Sequence, residues 1–161
     1  MTVPTDNDLV TRARAGDRSA QKELVTRWQE SVYQMAWRVL GNDSAAEDVR
    51  QIVFLRMIER PERLPRSASF ASWIRKCTIN EAITYLRRRK IRWTSELPMN
   101  QTGDSISPVE QAEENEEVHR LRDVLQTLPP EERAILTLRF DEDLSFPEIA
   151  EILNRPATTI K

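Results

Sequence analysis

Asn80 is a polar residue flanked at helical spacing by Ile79 and Ile83, in the most basic stretch of the chain. Between Arg75 and Arg92 seven cations (Arg75, Lys76, Arg87, Arg88, Arg89, Lys90, Arg92) stand against one acid, Glu81. Tyr85 and Trp93 interleave with them, and Trp73 lies one turn before. Cations that neutralise phosphates release counterions and give salt-dependent affinity for nucleic acid. Aromatic faces stack on unpaired bases, contributing about 1–3 kcal/mol per base. Asn80 has two readings: it satisfies a local backbone group, or it hydrogen-bonds a base edge. Trp28, Trp37 and Trp73 fit a core as readily as a base stack.

A second constellation lies upstream. Val49, Ile52, Val53 and Met57 make one apolar helix face. Asp48, Gln51 and Leu55 fall on another, with Phe54 and Ile58 beside it. A helix apolar on more than one side is either buried or docks on a partner. A third lies at the C-terminal end. Ser145 and Glu148 form a capping box, with Pro147 in the first turn, where its missing N–H does no harm. Ile149, Ala150, Ile152 and Leu153 follow, then Asn154, which tolerates the left-handed conformation a sharp turn needs. Pro156 or Ala157 opens the next segment, with Thr158, Thr159, Ile160 and Lys161. Small Ala150 permits close helix approach, and Ile160 is placed to plug the gap. This is the pattern of a helix-turn-helix, whose second helix enters the major groove. The ordinary alternative is a helical hairpin. The sequence reaches about one turn into that second helix, and one turn does not hold by itself.

The elements that position these residues are all helical. A helix over 7–15 turns Leu9, Val10 and Ala13 inward, and Gly16 suits a left-handed closing position. A helix over 17–40 carries Leu24, Val25, Trp28, Val32, Met35, Ala36, Val39 and Leu40 at helical spacing and ends at Gly41. Ser44 and Glu47 read as a capping box for a third helix to about residue 59. Pro61 and Pro65 force a non-helical loop near 61–69. Ser67 or Ser69 then caps a fourth helix from Phe70 to Arg92. Residues 94–107 are polar and aperiodic, and read as a flexible linker. Glu113, Glu114, Glu116 and Glu117 begin the next helix, which carries the stripe Val118, Leu121, Val124, Leu125 and Leu128. Pro129 and Pro130 break it, and a helix near 130–140 carries Ala134, Ile135, Leu138 and Phe140. The expected architecture is all-α, with two small helical domains joined by a flexible linker: 1–93, a linker over 94–112, and 113–161.

Composition narrows the function. The chain has 161 residues, 39% hydrophobic and 31% charged, with net charge −2. No run approaches the ~20 apolar residues of a bilayer span, and MTVPTDNDLV does not read as a secretory signal. One cysteine, Cys77, excludes an internal disulfide and a cysteine-rich zinc site. One histidine, His119, excludes a His-pair metal motif; no Ser-His-Asp or Cys-His arrangement is seen, and His119 lies in a charged helix. Three glycines exclude a glycine-rich phosphate loop. A cytosolic binding protein is therefore expected rather than an enzyme. The small net charge hides an asymmetry. Residues 1–93 hold 18 Lys/Arg and 11 Asp/Glu, a balance of +7, whereas 94–161 hold 6 and 15, a balance of −9. One half is suited to meet a polyanion, unless these are only solvated faces.

Three stretches, AAEDVRQIVFLRMIERPERL, SFASWIRKCTINEAITYLRRRK and LQTLPPEERAILTLRFDEDLSFPEIAEILNRPATTIK, stand in this order around a polar linker. In that order they resemble an RNA polymerase sigma factor of the extracytoplasmic-function group of the sigma-70 family. The first looks like the core-binding helix of region two, the second like its minus-ten helix, the third like region four. The resemblance implies that Asp48, Gln51, Phe54 and Leu55 bind the β′ clamp helices. It implies a minus-ten set of Arg63, Arg66, Ser67, Trp73, Lys76, Asn80, Arg87, Arg88 and Lys90. Within it, the 61–69 loop and Asn80 hold a flipped base of the melted strand, and Arg87, Arg88 and Lys90 contact phosphates. Arg155, Thr158, Thr159 and Lys161 approach the minus-thirty-five element. The implied partners are core polymerase (β′ clamp helices and β flap), promoter DNA and an anti-sigma factor; no cofactor, metal or membrane insertion is implied. Three positions depart from the family pattern: Ile52 where Glu is common, Thr84 where Asp is common, and Asn154 where the turn usually has Gly. The competing reading is a helix-turn-helix regulator of duplex operator DNA, which leaves the Asp48–Leu55 face idle.

Overall fold

Helix α1 (Asp6–Arg14) starts at Thr5, whose hydroxyl accepts from Asp8 N while the Asp8 carboxylate accepts from Thr5 N. Helix α2 (Arg18–Leu40) starts at Asp17, whose carboxylate accepts from Ser19 N and Ala20 N. Helix α3 (Asp43–Glu59) starts at Asn42, whose side chain accepts from Ala45 N. The expected Ser44–Glu47 box therefore does not form. Asn42 lies two residues earlier and caps Ala45 N, whereas the Ser44 box would have taken Glu47 N, and Glu47 pairs with Arg50 instead. A 3₁₀ turn (Pro61–Arg63) leads to Leu64, which is buried. Helix α4 (Phe70–Ser95) follows, with Ser69 Oγ accepting from Ser72 N. The remaining helices are α5 (Glu116–Thr127), α6 (Pro130–Leu136) and α7 (Phe146–Leu153). A π turn (Thr137–Asp141) replaces the end expected for the 130–140 helix, and a 3₁₀ turn (Ala157–Thr159) closes the described chain. These positions come from a computed structural model, which describes residues 3–66, 69–95 and 116–160. Among the described residues there is no strand.

The apolar faces read from the sequence meet in the core. Leu9, Val10 and Ala13 of α1, Leu24, Val32, Met35, Ala36 and Val39 of α2, and Val49, Val53 and Met57 of α3 are all buried. Helix α4 is buried on two flanks. Ile74, Thr78, Ile79, Ala82 and Ile83 are all covered, and Thr78 satisfies its hydroxyl on the Ile74 carbonyl at 2.8 Å. It packs against α2 and α3 and also against α6 and α7. The buried residues of all these helices, including Ala134, Leu138, Ile149 and Ile160, form one continuous cluster. Gly41 closes α2 at φ +65, and a Cβ there would lie 2.2 Å from Nε2 of Gln126. The left-handed conformation therefore favours glycine, and the Gln126 side-chain end would have to move aside for any Cβ. The α5 stripe behaves differently from its pattern: Val118, Leu121 and Val124 face solvent. Helix α5 is held instead by its other side, where Arg122 lies 4.8 Å over the Trp37 ring and Gln126 meets Arg133.

The caps make the fold sensitive to acid. The Arg12 guanidinium, then the backbone donors of Ala20 and Ser19, hold the Asp17 carboxyl below its ordinary value. The Thr5 hydroxyl does the same for Asp8, and the Ser145 hydroxyl for Glu148. A carboxylate with a depressed folded-state pKa stabilises above its unfolded-chain value and loses that contribution as pH falls through the folded one. The unfolding temperature is expected to be level from about pH 6 to 8 and to fall below about pH 4. Calorimetry of Asp17→Asn, which cannot titrate there, is expected to show a shallower acid decline.

Candidate nucleic-acid interface

Helix α4 is fixed from both sides, so its remaining face is presented rigidly. Lys76, Asn80, Thr84 and Arg87 recur every three to four residues and share one stripe; Lys76, Asn80 and Arg87 are exposed, and Arg88 and Lys90 are exposed nearby. The Thr84 hydroxyl donates to the Asn80 carbonyl at 2.7 Å, so it is turned to its own helix rather than outward. Trp73 is half-buried and stacks on buried Phe70 with ring centroids 5.7 Å apart; Phe70 in turn meets Trp28 edge-on at 5.7 Å. Arg63 and Arg66, before α4, are exposed. Ser67 lies outside the described residues, as does Lys161. The structure thus brings Lys76, Asn80 and Arg87 into one cationic stripe along α4, with Asn80 at its middle.

The upstream face of α3 presents Asp48, Gln51 and Leu55 to solvent, with Leu55 54% and Ile58 47% exposed. Gln51 Nε2 donates to Glu47 Oε1 at 3.3 Å. Phe54 is not part of this face. It is 7% exposed and belongs to the core, on the side of α3 that carries Met57. Truncating it to Ala is expected to destabilise the fold by about 3–5 kcal/mol, as checked by urea titration, with little direct change in any docking contact.

Two residues that spacing did not reveal support these surfaces. Arg14, at the end of α1, donates from Nη1 to the carbonyl oxygens of Glu62 (2.8 Å) and Leu64. It clamps the 3₁₀ turn that carries Arg63 and leads to Arg66. No local pattern could reveal it, because its partners are 48 and 50 residues away. Glu81, the lone acid of the basic stretch, is 5% exposed and pairs with Arg56 of α3. Its isolation among cations was a readable sign, since a buried charge needs a partner. Cys77 shares the helix, and burial pushes its thiol up to about 11. It is therefore neutral at physiological pH and a poor nucleophile.

At the C-terminal end the turn forms as its residues dictate. Ser145 and Glu148 make the reciprocal capping box, and Asn154 takes the left-handed conformation at φ 52. Ala150 and Ile160 are buried. Arg155, Thr158 and Thr159 are exposed together beside the 3₁₀ turn. Among the described residues no cluster of His, Cys, Asp and Glu is arranged to hold a metal, and no helix is long and apolar enough to cross a membrane.

Two family models match this chain: sigma-70 region 2 over residues 24–92, and sigma-70, region 4 over residues 119–161. The chain belongs to the sigma-70 family. Within that family it is an extracytoplasmic-function factor. It is 26% identical to the ECF RNA polymerase sigma factor SigW of Bacillus subtilis (strain 168), an alignment covering 94% of this chain and 87% of that protein. It is 27% identical to the ECF RNA polymerase sigma-E factor of Escherichia coli (strain K12), over 98% of this chain and 87% of that one. Two solved structures share the fold. CnrH, in complex with the cytosolic domain of CnrY, gives a TM-score of 0.66 at 22% identity, covering 96% of this chain and 86% of that chain. The sigma factor RpoE, in complex with the anti-sigma factor NepR from Bartonella quintana, gives 0.66 at 16% identity, covering 86% of each. As a sigma-70 family factor, the protein is a promoter-specificity subunit of RNA polymerase rather than an independent operator-binding regulator.

Proposed function

We propose that region 2 of this sigma factor captures melted promoter bases with the α4 stripe while α3 holds the factor on polymerase. The exposed, rigidly backed row Lys76–Asn80–Arg87 carries this reading. Melting costs a few kcal/mol of unstacking and needs a pocket beside a cationic track. Asn80 supplies the base-edge hydrogen bonds there, and Arg63, Arg66, Ser67 and Trp73 complete the base-holding set. Arg87, Arg88 and Lys90 hold the neighbouring phosphates. Asp48, Gln51 and Leu55 dock on the β′ clamp helices. Arg155, Thr158, Thr159 and Lys161 approach the minus-thirty-five element, and the second unit meets the β flap. Region 2 spans 1–93 and region 4 spans 113–161, joined by 94–112. The protein works in the cytoplasm, performs no catalysis of its own and is held inactive by an anti-sigma factor. The anti-sigma complexes of its structural neighbours and the family resemblance support that last partner.

Run-off transcription with core polymerase tests the reading. A promoter-dependent product that appears only when this chain is added is expected. Its absence, in a preparation that still captures β′, contradicts the assignment of the α4 stripe.

A further inference from the structure

We propose that Glu131 imitates a DNA phosphate inside the free chain. Its carboxylate draws together one arginine from each promoter-facing set and closes the two units on each other. The inference rests on the reading above, which gives Arg87 and Arg155 to DNA. Glu131, in the first turn of α6, pairs through Oε1 with Arg87 of α4. Arg155 Nη2 reaches the same carboxylate, at 3.2 Å from Oε1 and 3.0 Å from Oε2. An oxyanion shared by two guanidinium groups is the arrangement that a bridging phosphate would adopt.

Glu131 does not act alone. Glu142 pairs with Arg75 of α4 at 2.8 Å, with both side chains mostly covered. Asp141 lies 3.4 Å from Arg38 of α2. Each pair joins an acid of the second unit to a cation of the first. The opposed charges of the two halves of the sequence are thus partly satisfied within the molecule. Beneath them, Arg133 of α6 is 9% exposed and donates from Nη1 to the Val39 carbonyl at 2.7 Å. The continuous apolar cluster across both units completes the contact.

This closed form cannot read a promoter. The two elements are about 25 base pairs apart, or roughly 85 Å along duplex DNA at 3.4 Å per pair. Duplex of that length is far stiffer than any bend that would bring them together. The two units must therefore separate before both elements are engaged. In separating they release Arg87 to the polyanion, while Arg155, in the same unit as Glu131, keeps that carboxylate until a phosphate displaces it. Closure is expected to weaken with salt, because the Glu131 pairs are exposed enough to be screened.

The test uses the full chain and compares Glu131→Gln with Glu132→Gln. Both variants change the charge equally in the same helical turn. Small-angle scattering measures closure, and fluorescence anisotropy with labelled oligothymidylate measures access to the cationic stripe. Glu131→Gln is expected to enlarge the radius of gyration and to tighten oligothymidylate binding several-fold relative to Glu132→Gln. Adding Arg87→Gln to Glu131→Gln is expected to return the affinity toward that of the unaltered chain. Equal behaviour of the two single variants in both measurements overturns the proposal. Expansion without tighter binding overturns the phosphate mimicry. If Arg87→Gln is then also silent in run-off transcription, the assignment of Arg87 to promoter DNA fails with it.

Discussion

Reversing the charge of Arg87 and Arg88 to Glu is expected to reduce promoter-dependent transcription by at least about tenfold while leaving capture of core polymerase intact. Both side chains are exposed on α4, outside the buried flanks that hold the helix, so the fold does not depend on them. Each reversal removes an attraction for phosphate and adds a repulsion. Losing one phosphate contact lowers the salt dependence of binding by about one unit of slope, so the double variant is expected to lose about two. A tenfold loss corresponds to about 1.4 kcal/mol, well within what two reversed charges beside a polyanion supply. The measurement is run-off yield against salt concentration, with β′ capture as the control. Reversal at Arg87 also breaks its pair with Glu131. The variant is thus easier to open and yet worse at initiation, which separates an effect on DNA from one on closure.

Replacing Asp48, Gln51 and Leu55 together by Ala is expected to have the opposite profile. Capture of polymerase falls by about 30-fold or more, and the unfolding transition barely moves. The magnitude follows from the energetics of interfaces, where a few central side chains each cost about 2 kcal/mol or more when truncated. The small structural effect follows from position. All three are exposed on α3, and Ala is a good helix former. Phe54→Ala on the same helix gives the contrasting result: a large loss of stability from the core it helps fill. A surface plasmon resonance titration of β′ clamp-helix fragment, paired with urea unfolding, separates these cases.

Much of this was readable from residue order because the decisive signals were local. The capping box at Ser145, the left-handed Asn154 and the buried plug Ile160 each depend on neighbours within a few residues. The inward faces of α1 and α2 follow from helical spacing alone. The readings that failed needed knowledge of a competing partner. Asn42 displaced Ser44 as the α3 cap because the helix starts two residues earlier than the Ser44 pattern implies, and Asn42 accepts from Ala45 N. Phe54, read with the docking residues, is covered in the chain by itself; α3 is apolar on nearly every side, and only packing shows which apolar residues are covered. The α5 stripe read as a clear helical pattern, which it is, but periodicity does not say whether a partner is present. Arg14, Arg133 and Glu131 were invisible as functional residues. Their partners lie on distant elements, and nothing in their immediate surroundings distinguishes them from other solvated charges. The charge asymmetry was legible as a polyanion signal. That the acids of one half pair with the cations of the other was not, because charge counts carry no geometry.

Permanganate footprinting of thymines in a promoter incubated with core polymerase tests the central claim most directly, since it reads strand opening itself. With the unaltered chain, thymines near the minus-ten element are expected to become reactive. With Asn80→Ala and with Arg87→Glu/Arg88→Glu they are expected to stay protected although the factor remains bound to polymerase. Undiminished reactivity with both variants would contradict the assignment of base capture to the α4 stripe.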